Sequence, residues 1–409
     1  MSILDPIKSD RDAPLILRYR AEPVAVTLLD AAGLGLPKNQ LRVAERILTA
    51  LWLEFHGLGR ATSVSLRKEH YANRFGPLYK YAPIKAAVEA LAQAGLIALN
   101  KTPPGSNRKR QSTIWLPEDV GRALPTPEGV AVDVSHDDWV VLRDEKGDPM
   151  PFRRTEDVSR MERDGRRLRE AYAEMRIEVG GAERLGALII GATASGNRVV
   201  VNDLDRAPCR IFNEDWKYGG RFYRVFWQQL PKPLRAQVRI DGEQTVEEDF
   251  PQLHPTLLYA KAGKPYDPLT QDVYSFAGDE ARPLAKKVLN TLINAPSPKS
   301  ALGAIAREVV QRSGVDQTAA LKAARDLIKG AKKHNSAIAP FFGTGAGRWL
   351  QRLDSDIART VTIPFLKQHG VAPLGVHDSF IVPARLQGVL QEAMHAALDS
   401  AIADLRRAA

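Results

Sequence analysis

The sequence predicts a mixed α/β protein in which a small N-terminal module of helices and a hairpin precedes an antiparallel sheet with a helical insertion. Residues 238–248 contain an Asp241-Gly242 turn between strand-like segments, which is typical of a β-hairpin. Residues 372–383 repeat this pattern around a His377-Asp378-Ser379 tip. Between the two hairpins, residues 282–295 predict a helix.

The N-terminal part predicts an extended arm over residues 1–37 and a compact module over 38–120. Apolar spacing indicates helices from Asn39, over Ser63–Tyr71 and over Ala82–Ala94, followed by strands Leu96–Leu99 and Ser112–Leu116. This order resembles a winged helix-turn-helix domain, with Ala82–Ala94 as recognition helix. Phosphate contacts would come from the hairpin tip: Lys101, Arg108, Lys109 and Arg110. A helical packing module with a solvated basic loop is the alternative.

Residues 121–205 predict a connector, with a short strand at Val140–Leu142 and a highly charged helix over Thr155–Ile177. A charge run of this kind is usually a solvated face, and a thumb-like helix beside a duplex is the alternative. Residues 206–409 form the last predicted domain.

Composition narrows the class of protein. The chain has 409 residues and a net charge of +10, from 58 Lys+Arg against 48 Asp+Glu, which favours a polyanionic partner such as nucleic acid. The single cysteine, Cys209, excludes an internal disulfide framework. The sequence has neither a leader pattern nor an apolar stretch of membrane-spanning length. We therefore expect a cytoplasmic protein with no membrane partner.

Two aspartates stand at the ends of predicted strands. Asp249 follows Thr245–Glu248 and precedes a helix that begins near Leu253, and Asp378 lies at the tip of the second hairpin. A single aspartate in such a place is commonly a cap or turn residue. Two carboxylates on neighbouring rigid elements suit Mg²⁺, which takes oxygen ligands and completes its shell with water and substrate phosphates.

A third segment supplies cations. Residues 282–295 predict a helix with Pro283 in its first turn. Its four-residue spacing gives Arg282, Lys286, Asn290 and Asn294 one common face, which is suited to a triphosphate.

These segments resemble, in this order, motifs A, B and C of the single-chain polymerases, which comprise family A DNA polymerases and the phage and mitochondrial-type RNA polymerases. Asp249 is similar to the motif A aspartate, Arg282 and Lys286 to the Arg-x-x-x-Lys of motif B, and His377-Asp378 to motif C. Gln351 resembles the glutamine of the helix before motif C, and Gly219-Gly220-Arg221 a template-side motif. The resemblance implies an antiparallel palm sheet with helical fingers.

The resemblance also implies roles and partners. Asp249 and Asp378 would hold two Mg²⁺ ions, with Mn²⁺ as an alternative, and Lys286 would protonate the pyrophosphate leaving group. Arg282 would bind the incoming nucleoside triphosphate. DNA template and primer would be the partners. His254 stands where the family selects the sugar, and its bulk leans towards deoxynucleotides.

Some positions depart from the family pattern. Asn290 and Asn294-Ala295 stand where motif B carries an aromatic residue and a Tyr-Gly pair. Because the bulk of His254 leans towards deoxynucleotides, a DNA polymerase remains the first hypothesis. Three alternatives remain open. They are a single-subunit RNA polymerase or primase, a non-catalytic DNA-binding replication initiator or regulator with a degenerate palm, and a two-metal nuclease. The sequence leaves the oligomeric state undetermined.

Overall fold

The computed structural model describes residues 12–71, 78–103, 111–135, 139–278 and 281–407. Its helices are α1 (Glu22–Ala32), α2 (Lys38–His56), α3 (Tyr81–Gln93), α4 (Glu118–Ala123), α5 (Glu156–Glu174), α6 (Lys232–Arg235), α7 (Leu253–Lys261), α8 (Arg282–Asn294), α9 (Pro298–Ser313), α10 (Gln317–His334), α11 (Gly347–His369) and α12 (Gln387–Arg407).

The strands are β1 (Ala13–Pro14), β2 (Tyr19–Arg20), β3 (Thr62–Val64), β4 (Ala98–Asn100), β5 (Ser112–Trp115), β6 (Asp133–Val134), β7 (Val140–Arg143), β8 (Pro149–Met150), β9 (Ile177–Val179), β10 (Glu183–Leu185), β11 (Leu188–Ala192), β12 (Arg198–Asn202), β13 (Arg206–Asn213), β14 (Asp215–Val225), β15 (Val238–Ile240), β16 (Glu243–Asp249), β17 (Leu374–Val376) and β18 (Ser379–Pro383). The predicted α/β class is confirmed at this level.

The chain packs as two units. The first contains the described residues up to Cys209 together with Tyr223–Thr245, and the second contains Arg210–Phe222 with the described residues from Val246 onward. The chain therefore passes between units inside strands β13, β14 and β16. The predicted domain boundaries after residues 37, 120 and 205 stay a prediction. Residues 223–245 belong to the predicted last domain, over 206–409, but they pack in the first unit.

Small, mostly antiparallel sheets organise the first unit, and β1 pairs with β3 in parallel. The order β1-β3-β5-β4 holds the predicted hairpin β4–β5, in which Leu99 faces Ile114, and adds β3 beside it through the pair Thr62↔Ile114. The order β10-β11-β12 forms a meander, β7 lies between β8 and β13, and β15 lies between β9 and β16. A core that includes Trp52, Ile84 and Leu91 joins α2 and α3 to the first of these sheets.

Two local expectations in this unit are wrong. Residues 22–32 form α1 and not an extended arm, because Pro23 is tolerated in the first turn and Val24 and Leu28 are buried one turn apart. Gly33 ends the helix at φ 55°, where its N–H donates to the Leu29 carbonyl. The predicted helix over Ser63–Tyr71 is instead β3 followed by a 3₁₀ turn, Lys68–Tyr71, because Thr62 and Val64 alternate inward against β5.

The second unit combines a short sheet with long helices. Strand β18 lies between β17 and β16, and β17 pairs with β18 so that Val376 faces Ser379 across the turn. Helices α7 to α12 pack around one core, in which the largest fully buried side chains are Phe365 and Phe380. Within the described ranges, none of the helices combines the length and the apolar character needed to span a membrane.

Candidate active site

The residues that carry Asp249 and Asp378 lie on adjacent strands of the second unit. Asp249 ends β16, and the N–H of the next residue, Phe250, donates to the main-chain carbonyl of Asp378 over 3.2 Å. The rings of Phe250 and Phe380 meet edge to face with centroids 6.3 Å apart. The two aspartates are exposed above this buried aromatic pair. The structure thus places two exposed aspartates from distant parts of the sequence at the ends of adjacent strands.

Local sequence explains why Asp378 stands at a tip. Phe380, Ile381 and Val382 are fully buried, so β18 cannot slip without exposing apolar surface. The turn residue His377 is half-buried and has φ 62°, the positive value that the first turn residue of a type II′ hairpin adopts. His377 therefore shapes the turn that presents Asp378.

The nearby glutamates are already engaged. Ser379 donates to Glu247 over 2.8 Å, and Gln387 of α12 donates to Glu248 over 2.6 Å. Among the described residues, no group of three or more acidic, histidine or cysteine side chains is arranged to hold a metal. A pair of exposed carboxylates nevertheless fits Mg²⁺, because this ion commonly binds one or two carboxylates and fills its shell with water and phosphates.

Helix α8 has the polar face that its sequence predicts. Arg282, Lys286, Asn290 and Asn294 are all exposed. The opposite face consists of buried side chains of the core: Ala285, Val288, Leu289, Leu292 and Ile293. Apolar burial on one side therefore fixes the orientation of the cationic side.

A glycine-rich loop closes the end of α8. The N–H of Gly343 donates to Leu292 over 2.7 Å, and the N–H of Gly345 donates to Ala295 over 2.8 Å. A Cβ at Gly347 would lie 1.9 Å from the Asn294 side-chain oxygen. This loop therefore satisfies the carbonyls of Leu292 and Ala295 at the C-terminal end of α8.

Arg282 is oriented by two residues of the preceding loop. Its guanidinium lies 3.3 Å from Asp272 and 5.1 Å from the ring centroid of Tyr274. Burial raises the pKa of Tyr274. The Arg282 charge lowers this pKa, whereas the carboxylates of Asp272 and Asp378 raise it. The pKa of Tyr274 therefore depends on both the Arg282 cation of α8 and the Asp378 carboxylate of the hairpin tip.

Asp354 of α11 binds two residues that the sequence proposes for the site. Arg221 donates through Nε to both carboxylate oxygens, at 3.1 and 3.0 Å, and His254 lies 2.9 Å from Oδ2. The Asp354 side chain has no exposed surface. Gln351, half-buried, lies one turn earlier on the same helix. Arg221 and His254 are therefore positioned by a buried carboxylate.

A second arginine fixes the strand that carries Arg221. Buried Arg210 donates to the Gly220 carbonyl and to Ser355, both over 2.7 Å. Burial lowers the pKa of Arg210 to about 10, and Asp356, 3.0 Å away, offsets part of this effect. Gly219 and Gly220 have φ of 76° and 86°, values that side chains with a Cβ rarely adopt. This backbone conformation brings Arg221 to Asp354.

The structure describes one of the four predicted phosphate contacts of the wing, Lys101. Lys101 is exposed and lies 3.7 Å from Glu89 of α3. Arg108, Lys109 and Arg110 lie outside the described residues.

Sequence reasoning missed Asp354 and Tyr274. A signal existed for Asp354, because it falls on the helical stripe of buried residues that includes Leu350 and Ile357, where an acid requires a partner. No comparable pattern marks Tyr274. Comparison of the chain with family models, with curated proteins and with solved structures finds no match in any of the three.

Proposed function

We propose that the protein is a template-directed nucleotidyltransferase, with DNA polymerase as the preferred activity. One observation carries the proposal: Asp249 and Asp378, from distant segments, stand exposed on adjacent strand ends linked by the hydrogen bond from Phe250 to Asp378. Exposed carboxylates in this arrangement have no structural partner in the described chain that would explain them as caps. They suit a pair of divalent cations.

Each remaining residue has a role in this proposal. Asp249 and Asp378 would hold Mg²⁺, or Mn²⁺ in its place. When bound, such ions stabilise the attacking and leaving oxygens of phosphoryl transfer. Arg282, oriented by Tyr274, binds the triphosphate, and Lys286, one turn along α8, donates a proton to the leaving pyrophosphate. His254, held by Asp354, contacts the sugar.

The first unit supports a DNA partner. Helix α2, strand β3, helix α3 and the hairpin β4–β5 follow one another along the chain, and β5 lies between β3 and β4. This order supports the winged-helix hypothesis, with the 3₁₀ turn Lys68–Tyr71 in the place of the expected second helix. In the proposal α3 is the recognition helix, and the basic segment between β4 and β5 contacts phosphates. A protein with these partners is expected in the cytoplasm.

The test is extension of a labelled primer annealed to a longer template, with dNTPs and NTPs supplied separately and Mg²⁺ varied. Wild-type protein should extend the primer, and Asp249→Asn and Asp378→Asn should each reduce the rate at least about a thousandfold, which corresponds to about 4 kcal/mol of transition-state stabilisation. Asp399→Asn, an exposed acid on α12, is the matched control and should extend normally. No extension by folded wild-type protein with either nucleotide class would contradict the proposal.

The same assay separates the alternatives. A non-catalytic initiator is favoured by the presence of Asn290 and Asn294 on α8 where an aromatic platform for the nucleobase is expected. It would bind duplex DNA without extending any primer. A primase would make products from NTPs without a primer. A nuclease would shorten the labelled strand in the absence of nucleotides.

A further inference from the structure

Helix α10 carries a row of basic side chains on its exposed face. Lys322, Arg325, Lys329, Lys332 and Lys333 are all exposed. At 100° per residue these positions fall within roughly a third of the helix circumference. Asp326 is the acid within this stretch of α10. We call these five cations the α10 stripe.

The α10 stripe has one acid beside it, Asp326, which lies about one helical turn from two of its lysines. None of its members forms an ion pair with another described residue, whereas Arg312 of α9 pairs with Glu308 over 2.6 Å. The charged helix α5 also differs from the α10 stripe, because its Arg160 and Arg163 each pair with an acid. Exposed, unpaired cations of one sign repel one another, so the stripe is most stable when an anion neutralises it.

The buried face of α10 decides which anion fits. Ala320, Ala324 and Ala331 are fully buried, and Leu327 and Ile328 pack against the same core. A basic helix that binds lipid inserts an exposed apolar face into the membrane. That face of α10 is occupied by the protein, so the cations are left for a polyanion in water, and the phosphodiester backbone of nucleic acid is the fitting partner.

One end of the α10 stripe lies at the candidate active site. His334, next to Lys333, is 2.8 Å from the Asp272 carbonyl, and Asn335 donates to the Val273 carbonyl over 3.0 Å. Asp272 is the residue that pairs with Arg282. From Lys322 to Lys333 the helix rises about 16 Å, a length that meets several phosphates, since those of one duplex strand recur about every 3.4 Å.

We propose that the α10 stripe binds the sugar-phosphate backbone of a nucleic-acid strand and leads it to the loop that holds Arg282. The inference rests on the proposed function in that this strand would be the template. Binding itself needs no nucleotide and no catalysis. Its test can therefore succeed or fail separately from primer extension.

The test uses the full-length protein without nucleotides and measures fluorescence anisotropy of labelled single-stranded and duplex DNA of equal length across a range of salt concentrations. The variant Lys322→Gln/Lys329→Gln/Lys333→Gln should lower the slope of log K against log salt by about 2 on single strands or about 2.7 on duplex. The control Lys264→Gln/Lys367→Gln/Arg406→Gln removes the same charge from exposed positions elsewhere in the second unit. It should change the slope by less than about 0.5.

A slope loss of the expected size on either DNA form supports binding of nucleic acid by the α10 stripe. An unchanged slope in the stripe variant overturns the proposal. An equal slope loss in the control variant also overturns it, because the loss would then reflect net charge alone. Stripe-dependent binding to vesicles of phosphatidylserine without an effect on DNA also overturns it. Asp378→Asn should bind as wild type does, so a failure of catalysis would leave the binding result intact.

Discussion

Asp354 of α11 is completely covered, and Arg221 of β14 donates to both of its carboxylate oxygens, at 3.1 and 3.0 Å through Nε. His254 of α7 contacts the same carboxylate. Three elements of the second unit, far apart in sequence, therefore share one buried charge. A carboxylate in this position tolerates burial only because it is paired and hydrogen-bonded.

Removing this carboxylate should be costly. In Asp354→Ala, Arg221 and His254 lose their shared acceptor while remaining largely buried, and we expect the free energy of unfolding to fall by about 3–5 kcal/mol. Urea titration followed by circular dichroism measures this. The exposed acid Asp399 of α12 provides the control, since Asp399→Ala should stay within about 0.5 kcal/mol of wild type. A loss below about 1 kcal/mol for Asp354→Ala would show that Arg221 finds another partner.

Gly220 should be irreplaceable for a second reason besides its φ of 86°. A Cβ there would lie 2.7 Å from the Phe212 ring and 3.0 Å from Ser355 Oγ. Gly370 ends α11 at φ 69° and has open space around it. A substitution there therefore measures the cost of the positive φ without any clash. We expect Gly370→Ala to cost about 1–2 kcal/mol and Gly220→Ala about 1–3 kcal/mol more because of the clash. Equal losses in urea titration would contradict the packing argument.

Tyr274 should act on nucleotide binding through Arg282. Tyr274→Ala removes the ring beneath the guanidinium and should raise KM for the nucleotide about 2- to 30-fold, the range of a cation–π contact of about 0.5–2 kcal/mol. Tyr274→Phe keeps the ring and should restore KM to near the wild-type value. Since the pKa of Tyr274 is raised above its usual 10.0, the phenol stays protonated and the KM ratio should be constant from pH 7 to 9. A Phe variant as weak as the Ala variant would indicate that the hydroxyl matters instead.

His56 should make the first unit sensitive to acid. Burial lowers its pKa below the usual 6.5, and its ring packs edge-on against Trp52 and Phe55. The folded state therefore favours the neutral ring. Its contribution to stability is present above pH 6.5 and is lost as the pH falls through the lowered pKa. In urea titrations at pH 7.5 and 5.0, the midpoint of the first unit should fall less in His56→Gln than in wild type. An equal fall in both would contradict a neutral, half-buried His56.

Local patterns determined much of the secondary structure. Helix α8 runs over Arg282–Asn294 as expected, because Pro283 fits the first turn and the apolar side chains repeat at helical spacing. The apolar segments on either side of the His377-Asp378-Ser379 tip predicted the hairpin β17–β18 equally well. The same logic failed for α1, a helix that ends at Gly33 within the segment predicted as an extended arm. It also failed for β3, where pairing with β5 overrides a helix-like spacing.

The sequence by itself therefore determined helix α8, the hairpin β17–β18 and the position of Asp249 and Asp378 at strand ends. Side-chain periodicity and turn chemistry suffice there, because they act over a few neighbouring residues. Only the tertiary structure decided that Phe250 bonds to Asp378, that Tyr274 lies beneath Arg282, and that Asp354 holds Arg221 and His254. Those contacts join residues that are remote along the chain. They form because a buried charge or polar group must find hydrogen-bond partners, and the whole fold determines which residues are near enough to provide them.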